Sequence, residues 1–316
     1  MLVLGIDIGG TSIKGAAVND EGKTYESFVM PVDKEKKQEE TIQDLTKEIK
    51  NYLKTHSFDE KIAGIGIGVP GTIDAVNGVV IASNNLKWYN LPLRKMIAEA
   101  FDMPVKITND ANAAAYGEAC FGAGKKYKNV IMITLGTGVG GGVIIDGKIF
   151  EGSDGTGAEM GHSVIVYDGE QCSCGRKGCL EAYASATALI RQTKRVIELH
   201  PESLIAEEAK EAGRISGRTA FNALRKGDKF AEEVIDQYCH YLATGIMDFS
   251  NIFRPDCFVL SGGIANEGQS LIDRLVAICE EQNYGFPNSK KAVIKIAELG
   301  YQSGIIGAAC LLLKDN

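Results

Sequence analysis

The sequence predicts an α/β protein of two lobes. Its 316 residues with 45% hydrophobic content supply more apolar material than one core needs. A strand, Gly-Thr turn, strand pattern opens the chain over residues 2–18, and the same order returns over residues 130–145. The expected fold is therefore a pair of sheets, each built on a duplicated β-hairpin. One lobe spans residues 1–115 and is completed by a C-terminal helix over 303–316. The other spans residues 116–302.

Each element follows from local pattern. Leu2–Ile8 reads as a buried strand, Gly9, Gly10 and Thr11 as a tight turn, and residues 13–18 as the return strand. A third strand is expected over residues 25–29. Over residues 35–56, Ile42, Leu45, Ile49 and Leu53 recur at three- and four-residue spacing, which predicts a surface helix. Ile62–Val69 reads as a buried strand, Asn77 and Gly78 as a hairpin turn, Leu93–Phe101 as a helix and residues 105–108 as a strand. In the second half, residues 130–135 and 143–145 flank Gly136, Thr137 and Gly138. Residues 180–253 read as mainly helical, 257–260 as a strand ending in Ser261, Gly262 and Gly263, and Ser303–Leu313 as a last helix.

Composition narrows the function classes. A formal charge of -7 argues against a polyanionic partner, because nucleic-acid binders gather cations on one face. Lys125, Lys126 and Lys128 read as a solvated loop. No charged-then-apolar leader precedes Asp7, and the longest nearly apolar stretch, residues 130–145, is interrupted by glycines, so neither a signal peptide nor a membrane span is expected. Three of the eight cysteines crowd into residues 172–179 while the others are scattered, which fits a reduced cytoplasmic setting with one metal site.

Two glycine runs, Gly66, Gly68, Gly71 and Gly136, Gly138, Gly141, match the dinucleotide-binding spacing, but neither lies between a strand and a helix as that motif requires. The turn from Asp7 to Thr11 and the turn from Thr134 to Gly138 instead offer bare backbone N–H groups and hydroxyls suited to phosphates. Asp7 suits magnesium. Either turn alone reads as an ordinary Gly-rich hairpin turn; their pairing in a repeated context reverses that reading in favour of phosphate binding.

His162, Cys172, Cys174 and Cys179 form the most specific signal. Three thiolates and one imidazole complete a tetrahedron with no open position, which reads as structural zinc. The alternatives are a chance cluster of thiols or a redox pair, the latter disfavoured by Cys-x-Cys spacing. Glu159 and Glu181 bracket this cluster and are candidate acceptors for sugar hydroxyls. Asn109 and Asp110 follow a strand and open a helix, so Asp110 is either the helix cap or a base for phosphoryl transfer.

These residues, with Val69, Pro70 and Gly71 and with Ser261, Gly262 and Gly263, resemble the ROK family of bacterial repressors and sugar kinases, within the two-lobed actin and hexokinase (ribonuclease H-like) fold. The resemblance runs over essentially the whole chain. It implies Asp110 as base, with Asn109, Glu159, His162 and Glu181 around a sugar and Gly71 and Asn84 at its rim. It implies zinc on His162, Cys172, Cys174 and Cys179. ATP with magnesium is implied at Asp7, Gly9, Gly10, Thr11 and Lys14, at Thr134, Gly136, Thr137 and Gly138, and at Gly262 and Gly263. Glucose is the expected acceptor, since the pattern that includes residues 85–88 resembles the glucokinase subgroup; N-acetylmannosamine, allose and fructose are the alternatives. A homo-oligomer, dimer or tetramer, is expected. The family's repressors carry an N-terminal helix-turn-helix for which Asp7 leaves no room, so a DNA-binding regulator and a non-catalytic sugar-binding module are the weaker readings.

Overall fold

The computed structural model describes residues 1–282, 284 and 291–314. Residues 1–130, 142–158 and from 298 onward form one compact unit, and residues 131–141 and 159–297 form a second.

The first unit opens with β1 (Leu2–Ile8), β2 (Ser12–Asn19) and β3 (Phe28–Pro31), followed by α1 (Gln38–Thr55) and β4 (Ile62–Val69). A small antiparallel sheet of β5 (Thr72–Asp74), β6 (Val79–Ser83) and β7 (Trp88–Leu91) comes next, then α2 (Leu93–Phe101), β8 (Val105–Asn109) and α3 (Asp110–Cys120). The main sheet has the order β3-β2-β1-β4-β8. β1 and β2 form an antiparallel hairpin with Asp7 opposite Lys14, and β1, β4 and β8 run parallel. The apolar positions of α1 fall on one side: Ile42, Leu45 and Ile49 are buried with Leu4, Ile6, Ile65 and Ile67. Each such side chain contributes about 1.5–3 kcal/mol through burial.

The second sheet holds β9 (Val130–Leu135), β10 (Val139–Ile145) and β11 (Lys148–Ile149), and the order β11-β10-β9-β12-β13 repeats that of the first. Between β11 and β12 lie α4 (Glu181–Ala184), α5 (Ala186–Leu199), α6 (Leu204–Glu211), α7 (Thr219–Arg225) and α8 (Lys229–Phe253). β12 (Cys257–Ser261), α9 (Gln269–Glu281) and β13 (Val293–Ile296) complete the sheet, and α10 (Ser303–Leu313) belongs to the first unit. The edge strand antiparallel to the second strand of the hairpin recurs, β3 on β2 and β11 on β10, and β13 runs parallel to β12 as β8 does to β4.

The glycines inside β4 have a packing role. A methyl group on Gly66 would lie 1.8 Å from the carbonyl oxygen of Ala308, so the bare backbone lets α10 lie directly on the sheet. Glu118, fully buried near the end of α3, fixes the approach to that helix. Its carboxylate accepts the backbone N–H groups of Ala123 at 2.9 Å, Glu298 at 3.1 Å and Leu299 at 2.8 Å.

Two strand starts need correction. β3 begins at Phe28 rather than at residue 25, because its register on β2 pairs Lys14 with Val29. Tyr25 instead packs edge-on against Phe58. β10 starts at Val139 rather than at residue 143, which puts Gly140, Gly141 and Gly142 inside the strand. β7, β11 and β13, and with them α9, lay outside the expectation. Among the described residues, no helix is long and apolar enough to cross a membrane.

Candidate active site

In the first unit, the β1–β2 turn is closed by the Gly9 N–H donating to the Ser12 carbonyl at 2.9 Å. Asp7 ends up largely buried beneath that turn. Burial raises its carboxyl above the usual range, and Lys14 opposite it works in the other direction. Gly304, in the first turn of α10, backs onto this carboxylate: a methyl group there would lie 2.7 Å from the Asp7 Cγ.

Asn109 and Asp110 sit where β8 turns into α3. Asn109, not Asp110, is the helix cap: its Oδ1 accepts the N–H groups of Ala111 at 2.9 Å and Asn112 at 3.2 Å. Asp110 is the first helical residue, with its Oδ1 2.9 Å from the Ala111 nitrogen. The Asn109 side chain also donates to the Gly71 carbonyl at 3.0 Å. Gly71 has φ +115 and lies against Ala82 and Ser83, immediately before Asn84. Asn84 accepts from the Tyr89 hydroxyl at 3.3 Å. Gly71, Asn84, Asn109 and Asp110 are thereby collected at one end of the sheet, and Gly10 approaches the same loop at Asn85.

In the second unit, the turn of Gly136, Thr137 and Gly138 follows β9, which contains Thr134. It is held by the start of α5. The Ala186 N–H donates to the Gly136 carbonyl and the Thr187 hydroxyl to the Thr137 carbonyl, both at 2.8 Å. Gly262, at φ +88, packs on Leu135 just before the turn, with Gly263 following. Glu181 opens α4 and is shared between two loops. One carboxylate oxygen accepts the Val139 N–H at 3.1 Å, and the other accepts the Ser173 hydroxyl at 2.7 Å. A cavity of about 390 Å³ is lined by Thr137, Gly138, Ser173, Glu181, Ser185 and Thr187, a size suited to a small-molecule group.

Beside it, the ligand atoms of His162, Cys172, Cys174 and Cys179 all lie within 4.8 Å of one another. The Cys174 and Cys179 sulfurs are 3.7 Å apart, as are the Cys172 sulfur and His162 Nδ1. Burial, with the two neighbouring thiols, pushes Cys179 up to about 12. Glu159 is exposed where the chain enters the short 3-10 turn Met160–His162.

A family model described as "ROK family" matches residues 3–315. The chain belongs to the ROK family. A glucokinase of Halalkalibacterium halodurans is 34% identical over 316 residues, covering 99% of this chain and 95% of that protein. A crystal structure of a ROK family glucokinase from Streptomyces griseus, in complex with glucose and AMPPNP, superposes with a TM-score of 0.78 at 33% identity, covering 98% of this chain and 99% of that one. A xylose repressor of Caldicellulosiruptor bescii is 31% identical over 99% of this chain and 78% of its own length.

Several residues of this ROK protein's site escaped the sequence reading. Ser185 caps α5 by accepting the Ala188 N–H, Thr187 braces the Gly-Thr turn, Ser173 orients Glu181, and Glu151 holds Thr108. Ser185 alone had a visible signal, a capping residue ahead of an amphipathic helix.

Proposed function

We propose that this ROK protein is an ATP-dependent hexose kinase that phosphorylates the 6-hydroxyl of glucose. The observation that carries the reading is the doubled Gly-Thr turn. The same strand-turn-strand device occurs twice along the chain, in β1–β2 and in β9–β10, with turns whose backbone N–H groups suit phosphate oxygens. The likeness to the glucokinases above supports glucose as acceptor.

On this reading Asp110 accepts the proton of the sugar hydroxyl as that oxygen attacks the terminal phosphate of ATP. The capping role that would otherwise account for an acidic residue there falls to Asn109. Asn109, Glu159, His162 and Glu181 hold the other sugar hydroxyls, with Gly71 and Asn84 at the rim. Thr11 and Lys14 in one unit, and Thr134, Thr137, Gly262 and Gly263 in the other, contact the nucleotide. Asp7 would hold magnesium, which neutralises charge on the phosphates when bound. The residues of the first unit (1–130, 142–158 and from 298) and those of the second are proposed as the two lobes.

We further propose zinc on His162, Cys172, Cys174 and Cys179. A tetrahedron with Zn–S bonds of about 2.3 Å has S···S edges of roughly 3.8 Å, which matches the Cys174–Cys179 separation of 3.7 Å. With four protein donors and no open position, the ion would cross-link the loop rather than activate water.

The test is ADP release from magnesium ATP across glucose, N-acetylmannosamine, N-acetylglucosamine, allose, fructose and mannose. Glucose should give the largest kcat/KM. Preference for another sugar would keep the chemistry and replace the substrate. Folded, metal-loaded protein silent with every sugar would favour the regulatory reading that the likeness to a xylose repressor brings.

A further inference from the structure

We infer that Glu151 is a positioning residue for the turn that carries Asp110, acting through Thr108. The inference rests on the kinase reading for its functional consequence and on geometry for its substance. The Thr108 hydroxyl donates to Glu151 Oε1 at 2.6 Å. Thr108 is 1% exposed and is the last residue of β8 before the Asn109 cap.

Successive strand residues face opposite ways, so Thr108 and Asn109 are tied on opposite faces of β8. Asn109 is fixed by Gly71 and by the α3 amides; Thr108 has Glu151 as its tie. The backbone between them is held by the ladder to Gly68 and Val69 on β4. A charge-assisted hydrogen bond of this length is among the stronger kinds, and it ends two positions from the proposed base.

Glu151 brings a second constraint. It lies two residues past the end of β11, and its own carbonyl accepts the Gly157 N–H at 2.9 Å, which closes the loop that leads into Glu159. Lys106 and Lys148 line the same groove of about 590 Å³ as Thr108 and Glu151. One residue therefore anchors the end of β8 through its side chain and, through its main-chain carbonyl, the start of the segment that carries a proposed sugar ligand. Displacing the base by about 1 Å can cost on the order of 100-fold in rate.

The experiment compares Glu151→Ala, Glu151→Gln, Thr108→Val and the Glu151→Ala/Thr108→Val double variant with the wild type. Two readouts are taken: steady-state kinetics and hydrogen exchange at the Ala111 and Asn112 amides that the Asn109 cap accepts. Glu151→Ala and Thr108→Val should each lower kcat about 10- to 100-fold, leave KM for ATP within about twofold, and speed amide exchange. Glu151→Gln, whose amide oxygen can accept the same bond, should restore most of kcat. The double variant should be no worse than either single one, because both remove one interaction. Wild-type kcat together with wild-type exchange in Glu151→Ala would overturn the inference, as would a Glu151→Gln variant as impaired as Glu151→Ala. A wild type without sugar-dependent ADP release would instead remove the kinase reading, and the exchange data would still decide whether Glu151 holds the turn.

Discussion

Glu181 bonds the backbone N–H of Val139 at 3.1 Å, immediately after the Gly-Thr turn, while its other oxygen takes the Ser173 hydroxyl from the cysteine loop. One carboxylate thus ties the proposed nucleotide turn to the proposed metal loop. Gly138 makes the contact feasible, since a methyl group there would lie 2.3 Å from the Glu181 Oε2. Gly138→Ala should therefore lower kcat/KM for both ATP and sugar at least tenfold in a folded protein. A loss confined to ATP, with sugar affinity unchanged in calorimetry, would show that Glu181 does not link the two.

Asp7 predicts a trade between stability and activity. Its folded-state carboxyl is raised, mainly by burial, so the ionised form costs stability above that value. The cost fades as pH falls through the raised value and is gone below the unfolded one. In the absence of magnesium and nucleotide, Asp7→Asn should melt above the wild type at pH 7, with the gap closing in acid. The same variant should lose most of its turnover. An unchanged or lower melting temperature at pH 7 would contradict the desolvation argument.

The metal proposal is tested by stoichiometry. Cys174 is the exposed member of the four, so Cys174→Ser disturbs little packing. Zinc content measured by mass spectrometry should fall from about one equivalent to well below it, and thermal stability should fall in parallel. Full zinc occupancy in the variant would remove Cys174 from the ligand set.

Glu118 carries a purely structural prediction. Glu118→Ala leaves three backbone N–H groups without their buried acceptor, at about 1–3 kcal/mol each when unsatisfied. Denaturant unfolding should show a loss of roughly 3 kcal/mol or more. A loss below about 1 kcal/mol would mean that water replaces the carboxylate.

What the sequence made legible was local. Leu2–Ile8 is a buried run broken only at Asp7, α2 and α10 are bounded by clear changes of pattern, and the four proposed metal donors lie close enough along the chain for spacing alone to group them. What it hid depends on partners distant in sequence. Glu118 meets Leu299 across 181 positions, and Thr108 meets Glu151 across 43. Neither glutamate differs in composition or context from a solvated one. The start of β3 was misplaced for a related reason: an edge strand's limits are set by its neighbour's register, here Lys14 opposite Val29, rather than by its own residues. Asn109 was visible as a site residue, yet its capping role beside Asp110 depended on a one-residue helix boundary that pattern does not fix.

The central claim is that Asp110 is the base of a sugar-directed phosphoryl transfer, and paired calorimetry and turnover on Asp110→Asn test it most directly. Glucose should bind the variant about as well as the wild type while kcat falls roughly 100- to 10,000-fold. Turnover within a few-fold of the wild type, with binding intact, would contradict the account and leave Asp110 as the first residue of a helix that Asn109 already caps.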